Sequence, residues 1–289
     1  MYRPSTPRIP RPLLLGVLLA LSACFSLVAS AQQTARSGAA VQPGKDVLVL
    51  RQYFQYDSFN DPDVDQFRHE TVLGYGITGR FTLMAHLPVV YRNFTSLPAT
   101  ATPANRPADD AEWGLADLTL MAQYRFWQYD SGPINTQRAT VFAGLELPSG
   151  VDGFSSDSVD PFLGAAYTRI HDRHGLNLAA RYQFNTGDTA NPVNFSESDA
   201  DAFRSEFSYL YRLAPNAYTS RSRRSWYLTQ ELLFRYETNR DTELLIAPGL
   251  MLEGPTYAVG LSVALPLAQD LDHRPEPELS LLLELRFLF

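Results

Sequence analysis

The strongest constraint in this chain is an alternation of apolar and polar residues, repeated in runs of about ten and carried to the last residue. Leu279, Leu281, Leu283, Leu285, Phe287 and Phe289 share one parity, while Glu278, Ser280, Glu284 and Arg286 share the other. A period of two marks a strand with two unlike faces. A soluble sandwich alternates too, with its apolar face buried in a core. The choice between the two therefore turns on what the polar faces carry.

Two neighbouring runs decide it. Phe67, His69, Thr71, Leu73, Tyr75 and Ile77 form one face, Thr78-Gly79 makes a tight turn, and Phe81, Leu83, Ala85, Leu87, Val89 and Tyr91 continue the same face. The opposite parity holds Arg68, Glu70, Gly74, Gly76, His86 and Arg92. A charged or small interior under an apolar, aromatic exterior inverts a soluble domain and suits a sheet whose outer solvent is lipid. The final strand, ending on an aromatic residue, resembles the C-terminal signal read by the outer-membrane barrel assembly machinery.

The pattern predicts an all-β fold, a transmembrane up-and-down antiparallel barrel of about twelve strands over residues 46–289. The strands are expected at 46–56, 66–77, 81–93, 114–127, 138–147, 160–171, 175–186, 202–213, 225–237, 243–252, 256–265 and 278–289. An even number returns the chain to the side from which it started. Long polar connections at 57–65, 94–113, 148–159, 187–201 and 266–277 alternate with short ones at 78–80, 172–174 and 253–255. Three connections depart from that rule: 128–137 and 214–224 are long, and 238–242 is short. The sixth and tenth strands alternate poorly, so ten or fourteen strands also fit. Aromatic residues gather at strand ends, with Tyr53, Phe54, Tyr56 and Tyr91 towards one interface and Tyr209, Tyr211, Trp226 and Tyr227 towards the other.

Residues 1–31 read as an export signal. Arg3, Arg8 and Arg11 precede an uncharged run from Leu13 to Val28, and Ala29-Ser30-Ala31 places cleavage between Ala31 and Gln32. The run is short for a spanning helix. Leu21-Ser22-Ala23-Cys24 offers a competing lipoprotein site, with lipidation at Cys24. Residues 32–45, polar and small, read as a disordered lead-in. Cleavage removes three arginines and no acid, leaving 21 basic against 31 acidic residues and a net charge of −10. Such a balance argues against nucleic acid as a partner.

By parity, fourteen charged residues point into the lumen: Arg68, Glu70, Arg92, Asp117, Arg125, Glu146, Arg181, Arg204, Glu206, Arg212, Glu231, Arg235, Glu284 and Arg286. They can stiffen the barrel as cross-strand ion pairs, or line a path that selects solutes. Nothing in the sequence calls for a cofactor, a metal or a catalytic group. His171 and His174 share an expected turn without other strong ligands, and His69-Glu70 lacks the second histidine of a zinc protease. A lipid hydrolase would need a hydroxyl within reach of an outward histidine. His69 is the one expected to face outward in a strand, and its nearest serine in sequence, Ser58, lies in a loop.

Three motifs carry a family resemblance: Gly74-Tyr75-Gly76-Ile77-Thr78-Gly79-Arg80-Phe81 running on to Leu87-Pro88; Trp113-Gly114-Leu115-Ala116-Asp117-Leu118 leading to Tyr124-Arg125-Phe126; and Leu145-Glu146-Leu147-Pro148-Ser149-Gly150. With the terminal strand, they resemble the outer-membrane family named for the MetA pathway of phenol degradation. Ala116 stands where that family often has glycine. The resemblance implies an outer-membrane channel or transporter passing small solutes, some of them aromatic or hydrophobic, and it assigns no residue a role. The expected surroundings are therefore outer-membrane lipid, the assembly machinery and a small-molecule solute. A lipid-modifying enzyme and a poreless surface-binding barrel are the alternatives.

Overall fold

The computed structural model describes residues 33–60, 63–94, 111–151, 153–187, 200–219 and 222–289. The expected signal segment, its cleavage site at Ala31/Gln32 and Cys24 lie outside the described residues.

Thirteen strand segments follow one another: β1 (Leu48–Asn60), β2 (Val64–Thr78), β3 (Phe81–Phe94), β4 (Ala111–Leu115), β5 (Leu118–Asp130), β6 (Thr136–Leu147), β7 (Asp160–His171), β8 (His174–Gln183), β9 (Ala202–Ala214), β10 (Ser225–Glu237), β11 (Thr242–Glu253), β12 (Tyr257–Asp270) and β13 (Glu276–Leu288). All pairings are antiparallel and, apart from β4 and β5, join sequence neighbours; β1 pairs with both β2 and β13, which closes the sheet. β4 and β5 lie end to end against β3. They are the expected 114–127 strand, interrupted at Ala116-Asp117, so the wall has twelve staves. Closure satisfies the backbone polar groups of every edge, which a wall facing hydrocarbon requires. The seam is made by the chain ends: Leu48 N–H donates to the Phe289 carbonyl at 3.1 Å, and Phe289 N–H donates to the Leu48 carbonyl at 2.9 Å.

Burial runs the wrong way for a soluble protein. Leu163 and Leu261 are each 54% exposed, whereas Arg212, Glu231 and Glu284 are 0% exposed. Charges go inside and leucines outside only where the outer solvent is apolar. The end of the barrel that holds Leu48 and Phe289 is called proximal below, and the other end distal.

The two poorly alternating strands have local reasons. On β7, inward Gly164 leaves room for the Phe142 ring of β6, and Gly144 of β6 leaves room for the Phe162 ring of β7. On β11 the inward residues include Ala247, Gly249 and Met251, and Met251 joins Leu210 and Tyr227 in a proximal apolar cluster. The two long proximal connections also resolve. Strands β5 and β6 extend beyond their expected ends and leave only 131–135 as turn. Residues 215–219 of the second connection fold back onto β9 and β10, with the Tyr218 hydroxyl 2.9 Å from that of Tyr227 and the Arg212 guanidinium 4.2 Å from the Tyr218 ring centre.

The interlock gives a direct test. Gly164→Val would drive a side chain into the Phe142 ring and the Ala180 carbonyl. Overpacking of this kind costs about 1–3 kcal/mol, so the melting temperature of the refolded barrel in detergent should fall by roughly 5 °C. Leu163→Val, one residue away on the outer face, should leave it nearly unchanged.

Candidate functional site: a lumen crossed by the N-terminal segment

The sequence suggests a disordered lead-in at 32–45. In the structure, residues 33–45 instead form an arch inside the proximal half of the barrel. Gln33 starts beside β1 and β13: its side-chain oxygen accepts from Arg51 at 2.5 Å, and its carbonyl accepts from Arg286 at 3.0 Å. Arg36 reaches the hydroxyls of Ser262 and Ser280, both at 3.0 Å. At the top, Ser37 donates its N–H at 2.7 Å and its hydroxyl at 2.6 Å to the Glu231 carboxylate, and Gly38 N–H donates to Glu206 at 2.5 Å. The chain then descends. Ala40 N–H donates to the Thr168 hydroxyl at 2.9 Å, and the Gln42 amide donates to the Gln123 carbonyl at 2.8 Å. It leaves along β2, where Asp46 N–H donates to the Gly76 carbonyl at 2.8 Å. A side chain at Gly76 would overlap the Gly44 carbonyl, so this exit needs glycine.

The composition that reads as disorder is what a narrow polar lumen requires. Small residues fit between inward side chains, and polar backbone finds carboxylates and hydroxyls already there. Eight strands around the wall (β1, β2, β5, β7, β9, β10, β12 and β13) hold the arch, so it spans the lumen.

Above it lies a cavity of about 580 Å³. Eight of the fourteen residues expected in the lumen line it: Arg68, Glu70, Asp117, Glu146, Arg181, Arg204, Glu206 and Arg235. On one wall a carboxylate sits between two basic side chains. Glu70 is 2.9 Å from Arg68 and 2.8 Å from His86 Nδ1. Towards the distal end, Arg274 meets Glu243 at 2.7 Å and Glu237 at 3.5 Å, and Arg235 also pairs with Glu237.

The other six serve the fold. Glu231 holds the arch. Glu284 and Arg286 pair at 3.1 Å under Gln33. Arg212 is buried at the proximal closure. Arg125 sits at the proximal rim, where it donates to the Gly79 carbonyl. Arg92 lies 3.6 Å from Glu112 and 4.5 Å from the centre of the Phe154 ring, which the 148–159 loop tucks inward. Asp117 lines the cavity but is fully committed to that loop: it accepts the N–H groups of Ser149 at 3.0 Å, Gly150 at 2.9 Å and Ser156 at 2.7 Å, with the Ser156 hydroxyl at 2.8 Å. The structure adds residues that parity reasoning missed. Arg36 fell in the supposed lead-in. Arg274 fell in an expected loop and does sit in the 271–275 turn, outside the strands to which parity applies, with its guanidinium turned in to Glu237 and Glu243. The parts of the 94–113 and 187–201 loops numbered 95–110 and 188–199 lie outside the described residues.

His69, the candidate of the hydrolase alternative, stacks on Phe54 at 4.8 Å, with its Nε2 2.6 Å from the Gln52 side-chain oxygen. The neighbouring Thr71 hydroxyl donates to that same oxygen at 3.0 Å. The ring is therefore not placed to take the hydroxyl proton. Among the described residues, no three His, Cys, Asp or Glu side chains cluster as a metal site.

Over residues 37–263 the chain matches the family described as "Putative MetA-pathway of phenol degradation". The chain belongs to that family. No curated protein matches it. An outer membrane channel from Pseudomonas putida F1 superposes with a TM-score of 0.62 at 14% identity, covering 88% of this chain and 100% of that one, which shows a shared barrel fold. The β domain of the Bordetella autotransporter BrkA follows at 0.44 and 12% identity, covering 84% and 99%. The CymD monoaromatic hydrocarbon channel follows at 0.40 and 9%, covering 86% and 88%.

Two latches give predictions. Asp117→Asn removes a charge-assisted set of bonds worth about 1.5–3 kcal/mol each. Amide exchange at Ser149, Gly150 and Ser156 should accelerate at least tenfold, with β6 and β7 unaffected. In the distal turns, Asp241 accepts from the N–H groups of Asp272 at 2.9 Å and His273 at 3.2 Å, and lies 3.0 Å from His273 Nδ1. Burial pushes its carboxyl up, but these donors outweigh burial and hold it below the usual range. A depressed carboxyl stabilises above its ordinary pKa of about 4 and loses that contribution as pH falls through the lower folded value. Exchange protection of 271–275, corrected for intrinsic rates, should stay level from pH 7 to 5 and drop below about pH 4.

Proposed function

We propose that the protein is a passive channel for small solutes in the outer membrane of a Gram-negative bacterium. The observation that carries this reading is the charged cavity of about 580 Å³ enclosed by a wall whose outer face is apolar. The volume lies in the range of small-molecule sites. The family's name associates it with phenol degradation, and aromatic or hydrophobic compounds are the proposed solutes. The closing strand, with Phe287 and Phe289 exposed, is the segment proposed to be read by the barrel assembly machinery. No chemical step is needed. The arch is the resistance of the pathway, and conduction requires its shift or partial release.

Planar-bilayer recording of the refolded mature protein tests this. The intact protein should give small, intermittent steps. A variant lacking residues 33–42 should conduct several-fold more in longer openings. If the deletion variant inserts as a folded barrel and stays silent, the pore reading fails and a surface-binding barrel replaces it. A lipid hydrolysis assay on the same preparation should show no turnover, and turnover abolished by His69→Ala would revive the enzyme alternative.

A further inference from the structure

Three arginines stand side by side on the cavity wall. Arg181 of β8 is directly opposite Arg204 of β9, and Arg204 is directly opposite Arg235 of β10. Directly paired residues on neighbouring strands are about 5 Å apart. All three point into the same cavity. Like charges in direct register repel, and the low dielectric of a narrow lumen strengthens the effect. A row that served only to fill and stiffen would alternate in sign, as the Arg68–Glu70 pair and the Glu237–Arg274–Glu243 group do.

The row is also unequally satisfied. Arg235 pairs with Glu237. Arg181 donates to the neutral Gln183 amide oxygen at 2.6 Å. Among the described residues, no carboxylate oxygen is within ion-pair distance of Arg181 or Arg204, and the buried Nε of each lacks a hydrogen-bond partner. The carboxylates whose field reaches both, Glu146 and Glu206, are taken up elsewhere: Glu146 by the Gln183 amide at 3.3 Å and Glu206 by Gly38 of the arch.

Beside the row, the wall becomes aromatic. The Arg181 guanidinium lies 3.7 Å from the centre of the Phe162 ring, and Phe142 sits over Gly164, the residue opposite Arg181 on β7. Both rings line the cavity. The wall thus offers a planar fork of N–H donors next to the half-buried Phe142 ring, while the buried Phe162 backs the Arg181 guanidinium.

We propose that the Arg181–Arg204–Arg235 row and the Phe142 ring form one binding site for an aromatic carboxylate. The carboxylate accepts a forked pair of N–H bonds from Arg204, with Arg181 and Arg235 flanking it. The ligand's ring lies against Phe142, and Phe162 holds Arg181 in place from behind. This rests on the channel reading above and narrows its solute class from small aromatic compounds to aromatic anions held near the distal mouth.

Calorimetric titration of the folded full-length mature barrel in detergent with benzoate, acetate, inorganic phosphate and benzyl alcohol tests the site apart from conduction. Benzoate should bind at least tenfold more tightly than acetate or benzyl alcohol, and more weakly as salt rises. Arg204→Gln should weaken benzoate at least tenfold and leave benzyl alcohol unchanged. Phe142→Leu should weaken benzoate but not acetate. Arg204→Lys keeps the charge and loses the fork. It should weaken benzoate several-fold, and it serves should the glutamine variant not fold. Equal binding of benzoate and phosphate, or unchanged benzoate affinity in the Arg204 variants, overturns the assignment. Bilayer recording separates the two readings. Conductance without benzoate binding removes the site and leaves the channel, whereas benzoate binding by a barrel that never conducts removes the channel and leaves the site.

Discussion

Everything else in this structure depends on the ring of backbone hydrogen bonds closed between β1 and β13. Hydrocarbon offers the backbone no partners, so a sheet exposed to it cannot keep an edge. The reciprocal bonds between Leu48 and Phe289 remove the last one. Closure at twelve staves then fixes the diameter, and the diameter fixes how much must fit inside. Inward positions can be charged because lipid never reaches them, and outward positions must be apolar because water never does.

The interior that results is too narrow for water-filled charges and too polar for a dry core. The chain fills it with its own N-terminal segment. Glu231 and Glu206 would be costly in isolation. They become the anchors of the arch, because Ser37 and Gly38 present N–H groups at its turning point. The proximal lumen is thus a largely polar core bonded through the arch. The distal lumen keeps its charges around open space, and there Arg181 and Arg204 stay without carboxylate partners. That contrast between the two halves separates arginines that hold the barrel together from arginines free to meet a solute.

Much of the wall was legible from sequence, because period-two alternation maps directly onto the two faces of a strand. The strands at 160–171 and 225–237 begin and end where the pattern placed them. The pattern weakened where inward residues were themselves apolar or small. On β7 and β11 the inner face carries Gly164, Ala247, Gly249 and Met251, because an aromatic ring or an apolar cluster needs the space. The interruption at Ala116-Asp117 was invisible for another reason: Asp117 leaves the ladder to bind a loop about thirty residues further on. The arch was misread because short polar segments lack periodicity, whether they are disordered or held by partners far away in sequence.

The sequence by itself determined the alternation, hence the strands, their outward lipid-facing side and the charged inner side. It also determined family membership through short glycine motifs. Only the tertiary structure decided which inward charges share a level, because register depends on every turn and bulge between two strands. It placed Arg181, Arg204 and Arg235 in one row although they are separated by tens of residues. It also decided which charges meet the arch and which face the cavity. Parity gives a residue its face, but only closure of the barrel gives it its neighbours.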